Sequence, residues 1–109
     1  MGYIINHTII CEGIPPLGLR SAWKKAKSIF PYVSPISRAS TNGSTSFFIP
    51  PDGSKEGWPE SKQGDKRREK FKEFLRGKRC VDWVEVSFGA DDTRARIVDS
   101  VHKQRRSEK

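Results

Sequence analysis

Apolar and polar positions along this chain change period several times, and each change marks an element. Tyr3 to Cys11 (YIINHTIIC) is rich in β-branched and aromatic residues and ends at Glu12-Gly13, which predicts a strand. Ile14-Pro15-Pro16 then breaks the chain. From Leu19 to Phe30 the apolar residues Leu19, Ala22, Trp23, Ala26, Ile29 and Phe30 recur at helical spacing, with Lys24, Lys25 and Lys27 on the other side. Pro31 stops that helix. Tyr32 to Ser40 reads as a weaker strand, and Pro35 suits an edge position because its missing N–H need not face a neighbour. Asn42-Gly43 is a hairpin turn, and Thr45 to Ile49 returns as a third strand.

Pro50 to Gly64 carries three prolines, three glycines and Trp58, and reads as a long loop of the kind that is often functional. Asp65 is placed as the cap of a second helix reaching about Arg76, with Phe71, Phe74 and Leu75 as its buried stripe and Gly77 at its end. Val81 to Phe88 is a fourth strand. Val84, Val86 and Phe88 share one face; Val81, Trp83, Glu85 and Ser87 share the other. Ala95 to Val101 fits either a fifth strand or a short helix. The order predicts an α+β fold: a ferredoxin-like βαββαβ antiparallel sheet, two helices on one face, and a C-terminal strand or helix addition. Residues 1–101 form a single domain in this reading, and 102–109 a basic tail that frays. Cys11 and Cys80 lack metal-site spacing and are expected near each other as two buried free thiols, with a disulfide under oxidation as the alternative.

Charge narrows the class of partner. Among 109 residues, 21 Lys and Arg stand against 13 Asp and Glu, a net charge of +8 that favours an anionic partner. No apolar run is long enough for a membrane span, and the N-terminus lacks the marks of a signal peptide. The expectation is a cytoplasmic protein that does not engage membranes.

The sharpest candidate chemistry lies where the long loop meets the second helix. With Asp65 as cap, Lys66, Arg67 and Arg68 occupy the first turn, against the helix dipole, and a bound anion would offset that conflict. Lys55 would add to the site, and Trp58 offers a flat surface for a base. The spacing matches no Walker or dinucleotide fingerprint, so the expected ligand is a phosphate-bearing nucleotide in general. The open sheet face supplies a second set: Tyr3, His7, Phe47 or Phe48, and Trp83. Such aromatics stack bases in RNA-binding sheets, although the basic-Gly-aromatic spacing of those domains is missing here. The same face suits a homodimer interface or cover by the C-terminal segment. With only His7 and His102 in the chain, no catalytic set is indicated. Asp82, Glu85, Asp91 and Asp92 fit a metal cation or, equally, a surface strand ending in an acidic turn; they lack EF-hand spacing, and no metal or cofactor is assigned. A small hydrolase or nuclease using His7 or Asp82 is the enzymatic alternative.

The run NGSTSFFIPPDGSKEGWPESKQGDKRREKFKEFL, followed by DWVEVSFGADD, resembles a family of small, mostly uncharacterised proteins of tailed bacteriophages and prophages. The resemblance spans about Tyr3 to Asp92 and is most specific at PDGSKEGW and the GD-basic stretch. Many members carry paired histidines in the first strand, where this chain has Asn6-His7. The resemblance implies a bacterial host cell and an anti-defence role. There the protein would sequester a nucleotide signal, bind nucleic acid, or inhibit a host defence enzyme by direct contact.

Overall fold

The first strand, β1 (Ile4–Gly13), forms as its sequence predicts and becomes the centre of the molecule. A computed structural model describes residues 4–14, 18–38, 43–51, 54–55, 59–78, 80–89 and 92–101. Side chains at 4, 54, 55, 61 and 92–94 lie outside that description. The chain continues through α1 (Leu19–Ile29), β2 (Ser37–Arg38), β3 (Thr45–Ile49), β4 (Ser54–Lys55), α2 (Pro59–Arg76), β5 (Val81–Gly89) and β6 (Asp92–Ser100). Helix α1 starts at Gly18, whose φ of 124° only glycine adopts without strain, and ends where Phe30 turns extended ahead of Pro31.

The strands form one antiparallel sheet in the order β2-β3-β1-β5-β6, with β4 also pairing β1. β5 occupies one edge of β1 from Ile5 to Gly13. The other edge is shared. β3 pairs with β1 from Ile9 to Gly13, and β4 pairs with Ile4 and Ile5. Pro50 and Pro51 separate β3 from β4, and their missing N–H groups end the ladder there. Asn6 to Thr8 therefore have no strand partner on that edge among the described residues. Thr8 spans the start of the gap by donating its hydroxyl to the carbonyl of Ile49 at 2.6 Å.

Both helices cover one face. Ile9 and Cys11 of β1, Phe47 and Ile49 of β3, and Val81 and Trp83 of β5 pack against Leu19, Ala22 and Ala26 of α1 and Phe71 and Leu75 of α2. Phe71 meets the edge of Phe30 at 5.8 Å between ring centres. At one end of β1 a Cβ on Gly13 would lie 2.9 Å from the carbonyl oxygen of Cys80, so glycine is required by close backbone approach. Among the described helices, none is long and apolar enough to cross a membrane.

The fold is α+β, but the expected ferredoxin-like βαββαβ sheet with an appended C-terminal element is corrected to six strands. β6 is a nine-residue member bonded along β5. Register shifts opposite Glu85/Val86 and Ser87/Gly89 break its alternation, which is why the pattern left strand and helix undecided. The second strand shrinks to two residues. Before it, the backbone leaves regular pairing, and Ser34 takes over the contacts, its N–H to Phe48 O at 3.0 Å and its Oγ receiving Phe48 N–H at 2.8 Å. β4 is a strand within the stretch expected to be loop. Both cysteines are free thiols, but the expectation of two buried ones is corrected: only Cys11 is buried, which pushes its pKa up, while Cys80 is exposed in the turn before β5. The hairpin tip at 39–42 and the expected tail, 102–109, lie outside the described residues.

These face assignments have a simple test. Phe71→Ala should cost about 3–5 kcal/mol in denaturant unfolding. Phe48→Ala, on the uncovered face at 44% exposure, should stay within about 1 kcal/mol. Equal losses would mean that the two faces are wrongly assigned.

Candidate functional site

The gap between β3 and β4 opens into a cleft of about 110 Å³. Its floor is His7, from the part of β1 between the β3 and β4 ladders, with Arg67 and Arg68 from α2. Its walls are apolar: Phe30, Pro31 and Tyr32 after α1, and Ile49, Pro50 and Pro51 at the end of β3. Gly64 lies one turn before Arg67 and Arg68 on α2, and its lack of a side chain leaves the mouth open. Pockets for drug-sized ligands begin at roughly 300 Å³. This one admits a single small group, with the remainder of any ligand lying over Tyr32, which is 77% exposed.

Beneath the cleft lies a buried ionic network centred on Glu85. This residue is 2% exposed and sits on the helix-covered face of β5. Its Oε1 accepts a hydrogen bond from Lys72 Nζ at 2.6 Å. Its Oε2 lies 3.2 Å from His7 Nδ1 and 3.4 Å from Arg68 Nε. A carboxylate only accepts hydrogen bonds, so Nδ1 carries the proton in this pair. Lys72 also reaches Glu69 at 2.8 Å and Asp99 at 3.3 Å, and Asp99 holds Arg76 at 3.3 Å. Arg68 pairs in addition with Asp65. Glu85 and Asp99 stand directly opposite each other in the β5–β6 ladder, where like charges repel, and Lys72 bridges them.

Burial by itself would raise the Glu85 pKa. Hydrogen bonds from His7 and Lys72, with the charges of Lys72 and Arg68, outweigh burial and hold the carboxyl at about 2 instead of 4.5. Burial would likewise lower Lys72, but its bonds to Glu69 and Glu85 and their charges carry it above its ordinary 10.5. Each group keeps the other ionised.

The expected ligand-binding residues divide into four groups. His7, Arg67 and Arg68 meet at the cleft. Lys66 is exposed on α2 but does not line it. Lys55 lies in β4 opposite Ile4, with its side chain outside the described residues, as is Trp58 altogether. Trp83 belongs elsewhere. It is 3% exposed within the helix-covered core, and its indole N–H has no acceptor among the described residues. The expected aromatic open face is corrected too. His7, Phe47 and Trp83 point to the helices, while Phe48 lies on the uncovered side.

The reason first given for an anion at the helix start also falls. α2 begins at Pro59, six residues before Asp65, with Glu60 in its first turn. Proline is well suited to the first helical position and Gly64 is tolerated inside, so Lys66 to Arg68 sit well within the helix and do not oppose its dipole. What assembles the cations is the side of α2 that carries them. Arg68, Phe71, Lys72 and Leu75 form its buried stripe at helical spacing.

Lys72, Asp99 and Tyr32 were not singled out from the sequence, and Glu85 was weighed only as a cation ligand or a surface carboxylate, whereas it is buried. A signal existed for Glu85, which shares its strand face with Val81 and Trp83, so a carboxylate there had to find cations. Compared with known proteins, the chain matches no protein-family model, no curated protein and no solved structure.

The network gives the fold a defined acid response. Because the folded pKa of Glu85 lies below the unfolded value, its contribution is complete above 4.5 and is lost as pH falls through about 2. That interval corresponds to about 3 kcal/mol. Lys72, shifted the other way, contributes fully below 10.5 and loses its part as pH rises beyond it. Urea unfolding of Glu85→Gln at neutral pH should show a loss of about 3–5 kcal/mol, because Arg68 and Lys72 stay buried without their anion. The variant should also lose less further stability on acidification than the parent. An identical acid response in the two proteins would remove Glu85 from this role.

Proposed function

We propose that the chain binds a phosphate-bearing nucleotide at the cleft between β3, β4 and α2, and holds it without turnover. The observation that carries this reading is the pairing of an exposed guanidinium with apolar walls. Arg67 lines the cleft and has no ion-pair partner among the described residues, while Arg68 and His7 are anchored through Glu85. A phosphate would sit against Arg67 beside Gly64, with the guanidinium as a forked donor. The ring of the ligand would rest on Tyr32 and the neighbouring prolines. Lys66, exposed nearby on α2, and the overall charge of +8 add a favourable field. The size of the cleft supports entry of one phosphate or one ring edge, not an enclosed ligand.

The resemblance to small phage proteins suggests the setting: sequestration of a nucleotide signal used by a bacterial host in defence. Calorimetric titration with a panel of linear and cyclic mononucleotides is the direct test. Arg67→Ala should weaken binding about tenfold or more, the loss of a charge-assisted contact. Tyr32→Ala should weaken purine ligands more than inorganic phosphate. The absence of binding at high micromolar concentration would refute the proposal. Affinity that grows with oligonucleotide length and falls steeply with salt would instead assign the charge to nucleic acid.

A further inference from the structure

The sheet face opposite the helices differs in chemistry from the rest of the molecule. Ile10 and Phe48 are each 44% exposed there, Phe88 38% and Ile97 73%. They are neighbours through the ladders, with Ile10 opposite both Phe48 and Val84, and Val86 opposite Ile97. A shallow hollow of about 300 Å³ lies in this face, bounded by Ile10, Glu12, Asp82, Val84, Ile97 and Val101. An antiparallel sheet facing water normally alternates to polar residues on that side, and these central strands do so only in part.

Two carboxylates meet on this face. Glu12 and Asp82 stand directly opposite each other in the β1–β5 ladder, both exposed. Neither has an ion-pair partner among the described residues, in a chain whose net charge is +8. Like charges facing each other across a ladder repel. A single cation placed between them would relieve that repulsion. The adjoining wall is aliphatic, so the cation that fits has an aliphatic stem: a lysine or arginine laid along Ile10, Val84 and Ile97 with its head at the two carboxylates.

We propose that this face docks a basic segment of a protein partner, in which a lysine or arginine between Glu12 and Asp82 is flanked by apolar side chains resting on Phe48 and Ile97. The face repels phosphate locally, so it cannot share the ligand class proposed for the cleft. The +8 charge disfavours cationic partners over the rest of the surface, which makes the acidic pair the selective element. A second copy packed face to face would bury the same apolar residues but would bring no described cation to the carboxylates.

The test is a two-dimensional NMR titration of the full chain with an acetylated, amidated peptide of alternating lysine and valine. The control is the same peptide with glutamate replacing lysine. The lysine peptide should shift the amides of Ile10, Glu12, Asp82, Val84 and Ile97 saturably, and the glutamate peptide should not. The paired variant Glu12→Gln/Asp82→Asn, both exposed and near-isosteric, should bind at least tenfold more weakly with an unchanged melting temperature. Ile97→Lys, at the most exposed apolar position of the face, should abolish binding while leaving the fold intact. Unchanged affinity in the paired variant would overturn the proposal. So would shifts confined to other surfaces, or sedimentation as a dimer whose face is already protected.

Discussion

Glu85 is a charge that the fold has taken out of water, and much of the molecule is arranged around keeping it satisfied. A buried carboxylate is tolerable only with cations and hydrogen bonds at hand. Two elements supply them. β1 brings His7 and α2 brings Lys72 and Arg68, while Asp99 of β6 competes for Lys72. α2 cannot rotate about its axis without breaking this set, because Arg68 and Lys72 lie on the same stripe as Phe71 and Leu75. Apolar packing alone would accept small slips of the helix; directional ion pairs do not. The network therefore acts as a register pin between helix and sheet, and it determines where Arg67 emerges.

The second determinant is a defect in the sheet. Two prolines end β3, the chain resumes as β4, and the two ladders meet β1 at separate places on that edge, Ile9 to Gly13 and Ile4 to Ile5. In a continuous sheet His7 would be one more inward residue under a helix. At the interruption it reaches a cleft whose remaining walls are the residues that end α1 and β3. The proline pairing that weakens the sheet thus creates the concavity, and the Glu85 network makes good part of that loss from below.

Much of this was legible in the chain. The apolar periods located β1, α1, β3 and β5 closely, and Pro31 marked the end of α1. The structure brings His7, Arg67 and Arg68 together at one cleft, while the helix-dipole reasoning behind the two arginines does not survive. Where the reading failed, a local signal competed with a tertiary one. Gly64 and Asp65 looked like a boundary, but Pro59 starts the helix earlier. β6 lacks clean alternation because its register shifts twice. Trp83 was taken for an exposed aromatic because strand period alone does not say which of two faces is covered. Glu85 held its information in context: a carboxylate in phase with Val81 and Trp83 is a demand for partners, and the partners sit on a different element.

The central position of β1 has a consequence in time as well as in space. Its most extensive partner, β5, follows it only after the intervening helices and strands; His7 and Glu85 are 78 residues apart in sequence. Until β5 emerges, β1 has only the short ladders to β3 and β4, and its isoleucines have no complete layer to enter. Such long-range pairing slows folding, since chain closure must precede the contacts that reward it. The ionic network cannot assemble before that closure, because its carboxylate arrives with the last third of the chain. The support beneath the cleft is accordingly complete only when β1 and β5 have met.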